Sequence, residues 1–403
     1  MIIPRRFYML TITLMLYSIF GVAQARQPEA LPIIARLSRS IYAVSPDTGE
    51  ARLLDEVSPE LSQLLKKNYS GIGVSLGGVS PDNARLAYTA GLSDILDSAY
   101  SDRVTTLAQR NPNDVYIVNI STGERINVTN QGARLADEVS ASAVRSYSKL
   151  TWSQDGSRLY FVAELRPLDD RPLSRTLHAY NLETAEDQRV ADLLPSPLTA
   201  DNNLIGLYPV KGGIASVTAL DHNGNMRFTL FGENNKVTYT FVFKLKGSQD
   251  VNAWMFDYNP IHIANRYKFG YFSFPANKLQ PNVLDLLNGE SQAVPVDSKV
   301  NTVSQNAPES SLRIVLKSML VGDVPWVIAD KDGNSLMTLD DELFISDSAI
   351  APDGQSVAYL RARKKVDEPR DILIFDGKES HSLGFAANEI MWGSVEYTFA
   401  PLK

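Results

Sequence analysis

Val79-Ser80-Pro81-Asp82-Asn83-Ala84-Arg85-Leu86-Ala87-Tyr88 decides the fold, because it comes back twice. Trp152-Ser153-Gln154-Asp155-Gly156-Ser157-Arg158-Leu159-Tyr160-Phe161 is the second copy, and Ile350-Ala351-Pro352-Asp353-Gly354-Gln355-Ser356-Val357-Ala358-Tyr359 is the third. Each copy reads as an apolar strand end, a tight turn and a second apolar strand. A unit of this kind cannot bury its apolar surface alone, so it stacks against further copies of itself.

A second phrase alternates with the first and reads as an outer hairpin. Tyr42-Ala43-Val44 runs into Ser45-Pro46-Asp47-Thr48-Gly49-Glu50, Val115-Tyr116-Ile117-Val118 into Ser121-Thr122-Gly123-Glu124, and Leu177-His178-Ala179-Tyr180 into Glu183-Thr184-Ala185-Glu186. Ile372-Leu373-Ile374-Phe375 leads to Asp376-Gly377, and Val283-Leu284-Asp285 to Asn288-Gly289. Asp221-His222-Asn223-Gly224-Asn225 and Asp330-Lys331-Asp332-Gly333-Asn334 resemble each other and complete the set. Asn-Gly and Asp-Gly between β-rich runs mark hairpins, because the turns that match strand twist need positive φ at their centre.

Together the two phrases predict an all-β chain folded as a β-propeller of seven blades, each about fifty residues long. The copies between Leu204 and Val296 are degenerate, which leaves six or eight blades open. Ring closure follows from the two ends. The N-terminal side offers an outer hairpin without an inner partner, and Ile390-Met391-Trp392-Gly393-Ser394-Val395-Glu396-Tyr397-Thr398-Phe399 reads as an inner hairpin without an outer one. N-terminal outer strands are therefore expected to pair with C-terminal inner strands, the strand near Tyr42 beside the one near Tyr397. Closure of this kind leaves only short, protected edges.

The Ser-Pro-Asp-Asn and Ser-Gln-Asp-Gly turns, each followed by an apolar-aromatic strand, resemble the WD40-like (PD40) repeat of TolB-type propellers. The same repeat occurs in the propeller of prolyl oligopeptidase-like peptidases. The resemblance implies a free-standing propeller: the sequence has no room for a separate N-terminal domain of the TolB kind and no Gly-x-Ser-x-Gly elbow of a hydrolase domain. It carries over no functional residue.

Residues 1–25 read as a secretory signal peptide, with Arg5 and Arg6 before an apolar run from Phe7 to Val22 and Ala23-Gln24-Ala25 as the cleavage site. The competing reading is an uncleaved anchor, but the run is shorter than the roughly 20 residues a spanning helix needs. An exported chain, periplasmic or extracellular, is expected, with residues 26–403 as one propeller domain and no membrane span after cleavage. The chain contains no cysteine, which excludes disulfides, thiolate catalysis and cysteine-ligated metal. Its net charge of −7 argues against nucleic acid as a partner. Arg361-Ala362-Arg363-Lys364-Lys365 is its only dense basic run and reads as a solvated loop.

Two stretches break the rhythm. Residues 58–67 read as a short amphipathic helix capped by Ser58, with Pro59 at its first position. Residues 91–113 read as an insertion with a helical stripe at Leu92, Ile95 and Leu96, either rimming a binding face or covering a blade edge. A third zone is aromatic, from Trp254 through Tyr267, Phe269 and Tyr271 to Phe274, and reads as core or as a stacking platform.

Chemical signatures are weak. His178, His222, His262 and His381 are widely spaced and share no metal-binding pattern. Asp330-x-Asp332-x-Asn334 begins like a calcium loop, but Ser335 stands where glycine is required. Gly71-Ile72-Gly73 and Gly77-Gly78 have no following helix to hold a phosphate and read as strand-entry residues. Asp82, Asp155 and Asp353 read as turn-fixing carboxylates. No catalytic, cofactor-binding or metal residue is assigned, and no cofactor is expected. The expected function is a non-enzymatic binding or scaffold propeller for a protein, an envelope component or a glycan. The alternative is a hydrolase or lyase acting on polysaccharide at the channel mouth.

Overall fold

The computed structural model describes residues 30–56, 74–91, 113–131, 143–167, 174–193, 204–210, 212–219, 225–244, 268–273, 280–285, 291–293, 299–304, 311–316, 326–331, 334–339, 348–361, 368–393 and 395–400. Their twenty-eight strands form seven antiparallel sheets, and the chain is a seven-bladed β-propeller. Blade 1 holds β4 (Ser75–Val79), β5 (Arg85–Gly91), β6 (Asn113–Asn119) and β7 (Arg125–Asn127). Blade 2 holds β8 (Ala143–Trp152), β9 (Arg158–Pro167), β10 (Ser174–Asn181) and β11 (Glu186–Asp192). Blade 3 holds β12 (Leu204–Val210), β13 (Gly213–Ala219), β14 (Asn225–Gly232) and β15 (Val237–Lys244).

Blade 4 shows three strands, β16 (Lys268–Ser273), β17 (Gln280–Asp285) and β18 (Ser291–Ala293). Blade 5 holds β19 (Lys299–Ser304), β20 (Leu312–Leu316), β21 (Trp326–Asp330) and β22 (Ser335–Thr338). Blade 6 holds β23 (Ser348–Ile350), β24 (Val357–Leu360), β25 (Arg370–Phe375) and β26 (Ser380–Ala387). Blade 7 joins β27 (Glu389–Met391) to β1 (Ile33–Leu37), β2 (Ser40–Val44) and β3 (Ala51–Glu56).

The two ends of the chain meet, but in a three-to-one division rather than two-to-two. β1 pairs with β27, placing Ala35 opposite Ile390. Tyr42 lies between Ala35 and Leu53, inside the N-terminal part of the blade. Tyr397 is not its neighbour: it belongs to β28 (Val395–Ala400), which pairs with β19 and sets Tyr397 opposite Thr302. The reason is β1 itself. Ile33-Ile34-Ala35-Arg36-Leu37 turns back through Ser38, whose φ of 56° substitutes for the glycine that usually marks such a hairpin. With β1 in the second position only one inner place remains, β27 fills it, and β28 is released to blade 5.

A second correction concerns Asp221-His222-Asn223-Gly224. Residues 221–224 lie outside the described residues, but β13 and β14 on either side of them are the two middle strands of blade 3 and pair with each other, so the outer hairpin of that blade lies elsewhere. The outer hairpin of that blade turns at Glu233-Asn234-Asn235-Lys236, with Asn235 at φ 60°. The total of seven stands because each sheet still contributes one outer hairpin. Gly91 and Asn113 are also strand residues, paired with each other, so the insertion between them spans 92–112. That insertion and the helix expected at 58–67 lie outside the described residues.

The core lies between blades. Along β9 the side chains alternate: Leu159, Phe161 and Ala163 pack with Val115, Ile117 and Tyr147 toward blade 1, whereas Tyr160 and Val162 pack with Leu207, Ile214 and Phe231 toward blade 3. The larger aliphatic and aromatic side chains of this set each contribute about 1.5–3 kcal/mol by leaving water. The ring closes by the same rule. Ile33, Ala35 and Val44 pack with Ala358, Leu360 and Ile372 of blade 6, and Ile34 and Ile41 with Leu86 and Tyr88 of blade 1.

The repeated turns share one geometry. Asn83, Gly156 and Gly354 occupy the same position with φ of 58°, 70° and 69°. Each donates its N–H to a carbonyl three residues back, those of Ser80, Ser153 and Ala351. Asparagine takes glycine's place in the first copy because its short polar side chain tolerates the left-handed region.

Candidate functional site

The tight turns of neighbouring blades meet on one face. Gly156 lies against Pro81, Arg52 donates to the Ile120 carbonyl, Leu312 N–H donates to the Gly354 carbonyl, and Gly393 sits between Pro352 and Asn83. The carboxylates read as turn-fixing do that work. Asp155 Oδ1 accepts from the Ser153 hydroxyl at 2.6 Å and from the Ser157 N–H at 3.0 Å, and Ser157 Oγ donates to both oxygens at 2.9 Å. Asp82 accepts from the Ser80 hydroxyl and the Ala84 N–H. Asp353 accepts the Gln355 N–H at 2.9 Å.

The Ser153 hydroxyl, with the Ser157 bonds behind it, holds the Asp155 carboxyl below the usual carboxylate range. At Asp82 burial pushes the other way, but the Ser80, Ala84 and Arg85 contacts outweigh it and lower the pKa.

A cleft of about 370 Å³ opens on this face between blades 2 and 3. Among the described residues its walls are Ser153, Gln154, Asp155 and Ser157 of the β8–β9 turn, Arg158 and Tyr160 of β9, and Gly212, Gly213 and Glu233 of blade 3. Arg158 bridges the junction, donating to the Glu233 carbonyl and, at 3.5 Å, to Asn235 Oδ1. Asn235 in turn donates to Gln188 at 2.9 Å. Tyr160 is buried at the base, and burial raises its pKa. The Glu233 carboxylate is exposed and stands 3.5 Å from where a Cβ on Gly212 would lie. Glycine at 212 therefore keeps the space beside that carboxylate open.

Two further polar clusters among the described residues join neighbouring blades. Asn113 bonds the Tyr147 backbone N–H at 2.6 Å and carbonyl at 3.1 Å, and Gln131 bonds the Arg145 backbone in the same way at 2.6 and 2.9 Å. These amides stitch blade 1 to blade 2 as a strand would. Between blades 7 and 1, Tyr88 donates to Asp55, Arg125 pairs with Asp55 at 2.8 Å, and its guanidinium lies 5.0 Å from the Tyr116 ring. Burial and the Asp55 charge push the Tyr88 phenol far up.

The two described histidines, His178 and His381, do not converge. His178 on β10 lies between Asp187 at 3.0 Å and Thr176 Oγ1 at 3.0 Å, with its ring stacked on Phe161. That order of hydroxyl, imidazole and carboxylate ties β10 to β11 on the outer side of blade 2. His381 lies on the outer strand of blade 6. His222 and His262 are outside the described residues. Among the described residues no three His, Asp or Glu side chains group as metal ligands.

Asp330 accepts from the Asn334 N–H at 2.8 Å and from its side-chain amide at 2.9 Å, as a hairpin requires. Gly77 has no room for a Cβ against Leu150, and the Gly78 carbonyl accepts from the Trp152 indole at 2.9 Å, so both serve blade packing. Arg361 is exposed beside Asp371, and residues 362–365 are outside the described set. Phe269, Tyr271 and Phe272 lie on β16, whereas Trp254, Phe256, Tyr258, Tyr267 and Phe274 fall outside the described residues.

Sequence reasoning missed Arg158, Tyr160 and Glu233 as cleft residues. One signal was present: Arg85 and Arg158 occupy the same place three residues after the turn aspartate.

No protein-family model matches the chain, and no curated protein sequence does. Solved structures are similar to it in fold. TolB from Acinetobacter baumannii is 11% identical over 92% of this chain and 66% of that one, with a TM-score of 0.39. The β-propeller domain of the trilobed protease from Pyrococcus furiosus is 14% identical over 75% and 95%, with a TM-score of 0.39. An oligogalacturonate lyase in complex with manganese is 11% identical over 87% and 85%, with a TM-score of 0.42. The chain spans about two thirds of the length of TolB. By its seven sheets and the β1–β27 pair, the chain is a seven-bladed β-propeller.

Proposed function

We propose that this chain is an exported, non-enzymatic binding propeller that recognises an envelope partner, protein or glycan, on its tight-turn face. The cleft between blades 2 and 3 is the observation that carries the reading. Loops and turns held by a rigid scaffold are where propellers and other all-β folds place recognition. Within the cleft the Asp155 carboxylate is committed to the Ser153 and Ser157 bonds that fix its turn.

The test is a pull-down from envelope extract with the mature chain, run beside a turnover assay on polysaccharides. A partner captured stoichiometrically, with no turnover, supports the reading. Polysaccharide cleavage by the purified chain overturns it in favour of the hydrolase or lyase alternative.

A further inference from the structure

We propose that the cleft between blades 2 and 3 is a saccharide subsite, in which Arg158 and Glu233 bracket adjacent hydroxyl groups of one sugar unit. The proposal rests on the binding reading above and names the ligand class of its cleft.

The chemistry begins with what the cleft leaves unjoined. Arg158 reaches the backbone carbonyl of Glu233, yet the two opposite charges form no ion pair with each other. A cation and an anion therefore face the same space, about 370 Å³, without neutralising one another. That volume lies near the lower end of small-ligand clefts, which run from about 300 to 1,000 Å³. The group that satisfies both walls at once must accept from a guanidinium and donate to a carboxylate. A hydroxyl does both, and a pair on neighbouring carbons spans the two walls.

The rest of the lining points the same way. Ser157 and Gln154 are exposed and polar, and the Tyr160 phenol lies at the base. Gly212, at φ 79°, offers backbone rather than a side chain, so a sugar ring meets no side chain from that position beside the Glu233 wall. A zwitterionic ligand is the competing chemistry. Glu233 is exposed, however, and an exposed ion pair contributes little, whereas charge-assisted hydrogen bonds to hydroxyls need no second charge to be desolvated.

The probe is a panel of fluorescently tagged neutral, amino and acidic oligosaccharides titrated against the full chain, with the dipeptide Ala-Glu as the zwitterionic control. Binding of at least one neutral or amino sugar is expected. Glu233→Gln, which keeps the shape and removes the charge, weakens it about tenfold without moving the melting midpoint. Ser157→Trp, which fills the cleft mouth from an exposed position, abolishes it.

Three outcomes overturn the proposal: no sugar in the panel binds, the dipeptide binds more tightly than every sugar, or sugar binding survives both variants unchanged. No sugar binding together with stoichiometric capture of a protein partner from extract sinks the saccharide subsite while leaving the binding propeller standing. Polysaccharide turnover sinks the binding reading itself.

Discussion

The Asp82 turn and the Asp155 turn are nearly the same sequence in adjacent blades, and they use their arginine differently. Arg85 folds back to the carboxylate of its own turn, 3.3 Å from Asp82 Oδ2. Arg158 leaves its turn and reaches the Glu233 carbonyl of the next blade. The repeat thus specifies the turn, and the neighbour decides what the extra side chain does. Blade 3 brings the β14–β15 hairpin within reach of Arg158, and the cleft is the space the two hairpins leave between them. One copy of a repeat is a fastening, and the other is a wall of a site.

Substitutions can break this comparison, and their effects are graded. The largest belongs to Asp155→Ala, which removes an acceptor from the Ser153 hydroxyl and from the Ser157 N–H and costs about 2 kcal/mol. Asp353→Ala loses one backbone partner, because Ala351 stands where the other copies have serine, and costs about 1 kcal/mol. Urea unfolding of both variants checks the order. If Asp155→Ala unfolds at the wild-type midpoint, the turn does not depend on its carboxylate.

Arg158→Ala falls between these two. It strips the cross-blade bonds to Glu233 and Asn235 and costs about 1.5 kcal/mol. Arg85→Ala removes only an exposed pair within one turn and costs about 0.5 kcal/mol or less. Equal losses from the two would erase the distinction drawn between the turns. Hydrogen exchange sharpens it further: Arg158→Ala speeds exchange in the β14–β15 hairpin, and Arg85→Ala does not.

The smallest effect is that of acid. Asp82 and Asp155 both have lowered pKa values in the folded state, so their contribution is present above the unfolded value of about 3.9 and is lost as pH falls through the folded values. Both side chains are exposed, and screening keeps the contribution to about 0.5 kcal/mol each or less. Thermal melts of Asp155→Asn between pH 3 and 6 should show a shallower acid limb than wild type. A steeper limb would mean that the carboxylate is not held ionised.

The fold was readable because its turns are chemically explicit. Pro81-Asp82-Asn83, Asp155-Gly156 and Asp353-Gly354 state their backbone geometry in their residue types. Where the residue types do not state it, the sequence misleads. Ser38 turns β1 into β2 at positive φ with no glycine to announce it, so β1 went unseen and β28 was assigned to the wrong blade. Asn223-Gly224 marks a turn but not which pair of strands it joins, and the true outer hairpin of blade 3 turns on the less conspicuous Asn234-Asn235.

The site was less readable than the fold. Arg158 and Glu233 are 75 residues apart and meet only because two blades lie side by side. No local pattern encodes that meeting. The arginine repeated three residues after the turn aspartate was the only trace of it.

The clasp between β1 and β27 has a consequence for biosynthesis. Arg36 and Glu389 pair at 2.8 Å across 353 residues of chain. The three earliest strands of blade 7 therefore emerge long before the strand that completes them, and their inner edge stays bare while six other blades are made. Contacts of such long range are slow to form, and an unpaired edge in the interval invites association with other chains. A nascent chain of this design needs either a holding factor at its front end or fast completion of its tail, and strain on either would surface as misassembly rather than as weakened native stability.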